Sequence, residues 1–566
     1  MRLKTVSKQT LILSALIAAA IGLRLWGIGS GLPYVFDPDE PHAINHAVRL
    51  ASGDLNPHDF KYPAGLFYVL ALLYGMVFVT MRLTGAMATV NDFAVLFVSD
   101  PTVFYLTGRI ACALAASACV LVAYKITRRL DDDDNAALLA AGCFALAPAL
   151  VDWSQVVKQD AWLLLSCMVL CWQTLRLMDR PTLKAYCATG GLLGIAASFH
   201  YVTGLWGLGI AIVHLAVAWR QPKPLRSFLK SPGLYLSACS ALAVFLALNP
   251  YALLDAAAFA KDFSDLYGLS VAWGLPENRS WSKVAATLAF WNSRTPLAAG
   301  FALLGAWQLY KRRRAQALLL AAMALIYFVA IGKRGDSGVA GRHALAGGWT
   351  LLILAGCGMA SVARRFATHK IGRLARLLPA LMLLEFTLTC VANVKAKTLP
   401  DTRVESRSWI LATVPDHTKI VIDMPHLSPA LPMQESQLRR LYQHCLQTGH
   451  ARKDYYRLLL QAKPQETKSF EIYRIKRSYA QLKDLEARTQ RSYEAVDSVE
   501  ATDGIAAWRR ERIDFIVLSS YGPGPEKQWN IIERDLTEQA TLVASFAPIP
   551  GRLTGPYIDI YRTIPR

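Results

Sequence analysis

The sequence is short of charge. Asp, Glu, Lys and Arg make up only 18% of its 566 residues, against about a quarter in a typical soluble chain. It has ten cysteines but no CxxC pair. Nine of them (Cys112, Cys119, Cys143, Cys167, Cys171, Cys187, Cys239, Cys357 and Cys390) lie in or beside apolar segments, and only Cys445 lies in the polar C-terminal part. This excludes a disulfide framework and reads as small apolar filler. There is no basic stripe interleaved with aromatics, so the formal charge of +20 does not imply a nucleic-acid partner. Internal repeats and low-complexity linkers are absent as well.

What is abundant is apolar surface: 54% of residues are hydrophobic and the mean hydropathy is +0.28. A membrane-spanning helix needs about 20 apolar residues. Eleven segments qualify: Leu11–Ile28, Val103–Tyr124, Ala136–Val151, Ala161–Leu177, Ala185–Phe199, Leu205–Trp219, Leu234–Leu248, Ala285–Tyr310, Ala315–Ile331, Ala344–Val362 and Leu374–Val394. The first follows Arg2, Lys4 and Lys8 and has no clean small-residue cleavage site, so it reads as a retained helix. Pro63–Met81 is a twelfth apolar stretch.

Positive charge decides its status. Clusters at Lys125/Arg128/Arg129, Arg176/Arg180/Lys184, Arg220/Lys223/Arg226/Lys230, Lys311–Arg314 and Arg364/Arg365/Lys370/Arg373 all face the cytoplasm if the N-terminus is inside and Pro63–Met81 does not cross. That stretch is therefore expected to be juxtamembrane or re-entrant. The Asp131–Asp134 run reads as a solvated charged loop. The C-terminus then lies outside. So do Ser30–Thr102, Asp152–Asp160, the His200/Tyr201 turn, Asn249–Lys283 and Lys333–His343. From about Lys395 the pattern changes. Amphipathic helices around Arg403–Ala412 and Gln437–His444 alternate with β-type runs at Ile420–Asp423, Phe515–Leu518 and Tyr557–Tyr561, which suggests a small α/β domain.

The first outer loop holds the densest chemistry. Asp37, Asp39 and Glu40 crowd at the exit of the first helix, and Pro41 then suits the first turn of a helix. The dipole at that helix N-terminus favours ionised carboxylates, and an ionised carboxylate there is either a general base or a capping acid. Lys61, at the membrane surface, can bind a lipid phosphate or simply snorkel. His42 and His46, spaced i, i+4, share a helix face and with Asp39 could ligate a divalent metal, the single cofactor the residues suggest; a plain polar face is the alternative.

Asp39-Glu40 followed by Lys61-Tyr62-Pro63 resembles the first outer loop of protein O-mannosyltransferases and bacterial lipid A aminoarabinose transferases, in the GT-C superfamily. One residue is interposed before the proline. Gln155–Asp160, Phe199-His200-Tyr201, Asn249-Pro250-Tyr251, Gly341-Arg342-His343, Asp401-Thr402-Arg403 with Trp409-Ile410, and Gly555-Pro556-Tyr557 resemble further family elements. The resemblance implies a polytopic α-helical membrane protein of GT-C type, with about eleven spans plus juxtamembrane helices in residues 1–394 and a small extracytoplasmic α/β domain in residues 395–566. It implies a bacterial inner-membrane glycosyltransferase with a polyprenyl-phosphate-linked sugar donor, a protein or glycolipid acceptor, and membrane lipids around it. Asp39 would be the catalytic base and Glu40 its support. Lys61, Arg342 and His343 would hold the donor phosphate. Asp37, Asp160, His200 and Tyr201 would line the pocket.

The rival readings are a lipid-linked sugar transporter or flippase, and a polysaccharide polymerase or ligase. Transporters place ionisable groups near the midplane, but here the spans are poor in acids, with Glu385 the exception. Arg24, Arg109 and Arg294 read as snorkelling or helix-pairing residues near span ends. A polymerase or ligase would carry a large outer loop rich in Arg and His, which is not seen.

Overall fold

The computed structural model describes residues 7–272, 297–332, 345–366, 372–423, 426–450, 452–462, 466–476, 498–500, 504–522 and 536–564. The chain divides into two compact units. The first comprises Met1–Ile28, His42–Tyr74 and Leu106–Val394; the second comprises Gly29–Pro41, Gly75–Tyr105 and Lys395–Arg566.

The helices up to the end of the first unit are α1 (Lys8–Leu25), α2 (Glu40–Arg49), α3 (Gly65–Leu83), α4 (Val90–Ser99), α5 (Thr102–Leu130), α6 (Asp134–Leu146), α7 (Pro148–Ser154), α8 (Asp160–Asp179), α9 (Leu183–Ala197), α10 (Gly207–Ala218), α11 (Pro224–Lys230), α12 (Pro232–Leu248), α13 (Tyr251–Leu254), α14 (Ala256–Ala272), α15 (Leu297–Arg312), α16 (Arg314–Gly332), α17 (Leu345–Arg365) and α18 (Gly372–Ala396). Of these, α4, the first two residues of α2 (Glu40 and Pro41), Gly75–Leu83 of α3 and Thr102–Tyr105 of α5 belong to the second unit. Among the described residues seven helices are long and apolar enough to cross a membrane, or eight if α6 and α7, bent by 50° at their junction, form one span. The expected Ala185–Phe199 span is the 15-residue α9. The expected Ala285–Tyr310 span is described only from Leu297. Helix α3, at 19 residues, is one of the seven.

Three devices hold the first unit together. Arg24, fully buried in α1, donates to the carbonyl oxygens of Ala20 (3.1 Å), Phe144 (2.9 Å) and Ala145 (3.2 Å). Pro148 has no N–H, so Phe144 has no backbone partner one turn on, and the guanidinium fills that vacancy. Arg24 therefore pairs helices. The second device is close backbone approach. A side chain at Gly190 or Gly194 of α9 would collide with the Ser237 and Ala241 carbonyls of α12, and one at Gly305 or Gly358 would collide across the α15–α17 contact. Small residues allow such contact where lipid gives no hydrophobic drive between helices.

The third device corrects the reading of Asp131–Asp134 as a solvated loop. Arg364 binds Asp131 (2.8 Å) and Asp133, Arg313 binds Asp132 (2.7 Å), and Arg128 binds Asp134 (3.1 Å). Asp131 is only 12% exposed. The run ties the α5–α6 turn to the ends of α15 and α17. No sequence period announces this, because the partners lie some 180–230 residues away.

The second unit contains α19 (Thr402–Thr413), α20 (Glu435–Thr448), α21 (Lys453–Gln461) and α22 (Gly504–Arg510). Its sheet has six strands: β1 (Lys419–Ile422), β2 (Glu471–Lys476), β3 (Ser498–Glu500), β4 (Phe515–Ser520), β5 (Ala540–Phe546) and β6 (Tyr557–Thr563). The order is β3-β2-β1-β4-β6-β5. The first four strands in that order run parallel, and β6 is antiparallel to both β4 and β5. The β-type runs read from the sequence are β1, β4 and β6, which are neighbours in mid-sheet. Val421, Ile516 and Leu518 pack against Trp508 and Ile505 on one face, while Ile420, Val517 and Ile560 pack against Ile410 on the other. Burial on both faces explains why the central strands read as apolar runs.

Candidate functional site

The first-unit part of the outer loop is built from local turns. The carboxylate of Asp54 accepts the Asn56 N–H, the Asn56 side-chain oxygen accepts the His58 N–H, and Asp59 Oδ1 accepts the Lys61 N–H, each at 3.0 Å. Asp and Asn favour such turns because the side chain stands in for a backbone acceptor two residues back.

This turn chain is pinned to the tips of other helices. Phe60 N–H donates to Asp262 Oδ2 (2.9 Å) and the Tyr201 hydroxyl donates to the Phe60 carbonyl (2.9 Å). Asn56 donates to Asp255 (2.8 Å), and Ala64 N–H donates to Asn249 Oδ1 (2.8 Å). Asn249 in turn donates to Ser198 Oγ (2.8 Å), and Gly65 N–H donates to the Ser198 carbonyl (2.9 Å). The Tyr62 ring stands edge-on to His200 at 6.4 Å. Three motifs distant in sequence (Lys61-Tyr62-Pro63, His200-Tyr201 and Asn249-Pro250-Tyr251) thus form one assembly. A crevice beside it is lined by Phe60, Tyr68, Tyr201, Asn249, Tyr251 and Phe259, among others.

Gln155 donates to the carbonyls of Leu23, Arg24 and Trp26, which holds the Gln155–Asp160 stretch at the exit of α1. Asp160 opens α8, and Trp162, two residues on, stacks against Phe199 (5.3 Å, 18°), next to His200. Arg109 donates to the Ile28 carbonyl at 2.8 Å.

His42 and His46 do share a face of α2, with ring centroids 4.6 Å apart. The carboxylate that both imidazoles face is Asp59, not Asp39: His42 Nε2 is 3.3 Å and His46 Nε2 3.7 Å from Asp59 Oδ2. Sequence reasoning missed Asp59 because its role depends on the turn that folds it back onto α2. Burial pushes the Asp59 carboxyl up. The His42 contact, the Lys61 N–H and the two imidazole charges outweigh burial and hold it well below the usual carboxylate range. Burial, and secondarily His42, push the His46 imidazole down.

In the second unit, Asp39 N–H donates to Asp37 Oδ1 (2.8 Å), forming a further Asx turn, and Glu40, fully buried, opens α2. The preceding aromatics are clamped by α19. The Arg403 guanidinium lies 3.5 Å from the Phe36 ring centroid and that of Arg407 lies 5.0 Å from Tyr34. Asp401 holds Arg403 in a fork (2.8 and 2.7 Å). Thr402 Oγ1 donates to the Pro556 carbonyl (2.7 Å), so the two tail motifs meet each other. Arg342, His343 and Arg294 lie outside the described residues.

A multi-span membrane protein of GT-C fold emerges, and comparison with known proteins agrees. Residues 103–251 match the family model of dolichyl-phosphate-mannose-protein mannosyltransferases. No curated protein matches the chain. Among solved structures it is similar to ArnT from Cupriavidus metallidurans bound to undecaprenyl phosphate, at 14% identity and TM-score 0.52, covering 97% of each chain. It is also similar to an oligosaccharyltransferase from Archaeoglobus fulgidus in complex with Zn and sulfate, at 14% identity and TM-score 0.51, covering 96% of this chain and 72% of that one. At these identities the structural likeness is one of fold; together with the family match it supports the resemblance to GT-C glycosyltransferases.

Proposed function

We propose that the chain is a membrane glycosyltransferase that moves a sugar from a polyprenyl-phosphate carrier to an acceptor hydroxyl on the extracytoplasmic face, with inversion. The acceptor oxygen bonds to the anomeric carbon, the bond from that carbon to the phosphate oxygen breaks, and polyprenyl monophosphate leaves. Asp39 takes the acceptor's proton, a role that contributes about 10²–10⁴-fold. Glu40 supports that site. Lys61 and Arg342, with His343, hold the phosphate as it gains charge, so they stabilise the transition state more than the ground state. Asp37, Asp160, His200 and Tyr201 line the pocket.

The observation that carries the reading is the docking of the Lys61–Gly65 turn on Tyr201, Asn249 and Ser198. It makes the phosphate-binding lysine part of a preorganised assembly of the three motifs. Further support comes from the fold shared along the full length of ArnT, a protein whose structure holds the lipid phosphate. On this reading residues 1–394 form the catalytic unit, eleven segments cross, and Pro63–Met81 stays on the outer side. The N-terminus is cytoplasmic, and residues 395–566 form a periplasmic domain that helps select a protein or glycolipid acceptor. The host membrane is the bacterial inner membrane.

The test is reconstitution of the purified chain in vesicles with a panel of polyprenyl-monophosphate sugars, read by mass spectrometry of acceptors. Sugar transfer is the expected result. Movement of the lipid between leaflets without transfer would overturn the reading in favour of a flippase.

A further inference from the structure

We propose that His42, His46 and Asp59 form a binding site for a divalent cation of the zinc class, with one coordination position left open. The three groups offer ligand atoms that all lie within 4.8 Å of one another. Zinc holds imidazole nitrogens and carboxylate oxygens at roughly 2.0–2.2 Å in a tetrahedron, so ligand atoms stand about 3.3–3.5 Å apart. The His42 separation from Asp59 Oδ2, 3.3 Å, matches that edge, and the His46 separation, 3.7 Å, is slightly longer.

The hydrogen-bond pattern points the same way. His46 Nδ1 lies 2.7 Å from the His42 carbonyl oxygen and must carry the proton to donate there. The lone pair of a neutral His46 then sits on Nε2, directed at Asp59 Oδ2, with acceptor facing acceptor. A backbone carbonyl on the far nitrogen is the usual outer support of a metal-bound histidine. The remaining Asp59 oxygen is fixed by the Lys61 N–H (3.0 Å). The rings are set by stacking of His46 on Phe67 (4.9 Å, 16°) and by the edge contact of His42 with Tyr62 (5.1 Å). With both imidazoles deprotonated, as ligation requires, the set carries a single negative charge, which favours a dication. The side chain of His42 is 33% exposed, which leaves an approach for the ion and for a water or anionic oxygen in the fourth position.

Such an ion would cross-link α2 to the Lys61 turn. That consequence, a fixed lysine, rests on the proposed function; the binding itself does not. The test uses the full-length chain in lipid nanodiscs, stripped with EDTA and titrated with Co²⁺ and Zn²⁺. The expected result is one ion per chain, visible Co²⁺ bands displaced by Zn²⁺, and an X-ray absorption signature of two imidazoles. Asp59→Asn and the double variant His42→Gln/His46→Gln should each bind at least about tenfold more weakly, while His417→Gln binds as the parent does. A parent chain that stays metal-free, with a proton alone between His46 and Asp59, overturns the proposal. So does a Zn²⁺-loaded parent with fewer than two imidazoles. Should the variants fail to fold, the parent's absorption signature decides. Because the readout is bound metal, loss of the glycosyltransferase reading would leave this result unchanged.

Discussion

Gly65 is where a single methyl group should separate the docked turn from its support. Its N–H donates to the Ser198 carbonyl at 2.9 Å, and a Cβ added there would overlap that oxygen and stand 2.9 Å from its carbon. Ordinary contact begins at 3.4 Å, so Gly65→Ala forces the start of α3 to retreat by about 1 Å, an overpacking change worth roughly 1–3 kcal/mol. Loss of the hydrogen bond adds about 1 kcal/mol, and the better helix propensity of Ala returns about the same. The net cost is therefore about 1–3 kcal/mol. For a unit of this size, at about 2 cal/mol/K per residue, that lowers Tm by roughly 1–4 °C. Activity should fall more sharply, because a 1 Å misplacement of a positioning element costs about 10²-fold. The control is Gly75→Ala in the same helix, where nothing lies within 4 Å; it should be neutral or slightly stabilising. Differential scanning fluorimetry and sugar transfer, measured on both variants, decide the matter. If Gly65→Ala melts and turns over like Gly75→Ala, the turn is not held as argued.

Asp39→Asn keeps size and removes the base, and transfer should fall by about 10²–10⁴-fold; full activity would move the base to Asp37 or Glu40. Lys61→Ala should chiefly raise the KM for the lipid donor, and an unchanged donor dependence would remove Lys61 from the site. Asn249→Ala leaves the Ala64 N–H without its acceptor beside a buried Ser198, a cost of about 1–3 kcal/mol. Its melting temperature should therefore drop, whereas an unchanged value would mean that water replaces the amide.

The membrane helices and the three central strands were legible because lipid and a two-sided core impose long apolar runs. The helix-pairing role of Arg24 was one of two alternatives open in the sequence, and Pro148 settles it by orphaning a carbonyl. The motifs Lys61-Tyr62-Pro63, His200-Tyr201 and Asn249-Pro250-Tyr251 could be singled out individually. Their hydrogen bonding to one another could not, since it depends on where helix tips end in space. Asp59 and the Asp131–Asp134 clasp were missed for the same reason. A carboxylate beside lysine or arginine looks solvated until a distant partner is brought to it. Asp59 acts only once three successive Asx turns have curled the chain back toward α2.

The glycine seam between α9 and α12 has a consequence beyond packing. Gly190 and Gly194 bring the two backbones into contact, and His200-Tyr201 and Asn249 sit just beyond the respective ends of those helices. Helices locked backbone to backbone cannot slide past one another without a clash, so the spacing between their tips is a constant of the scaffold. The pair acts as a rigid caliper. If His200 and Tyr201 line the pocket as proposed, substrate preference can be retuned by exchanging side chains at its jaws, with no need to re-engineer the shaft.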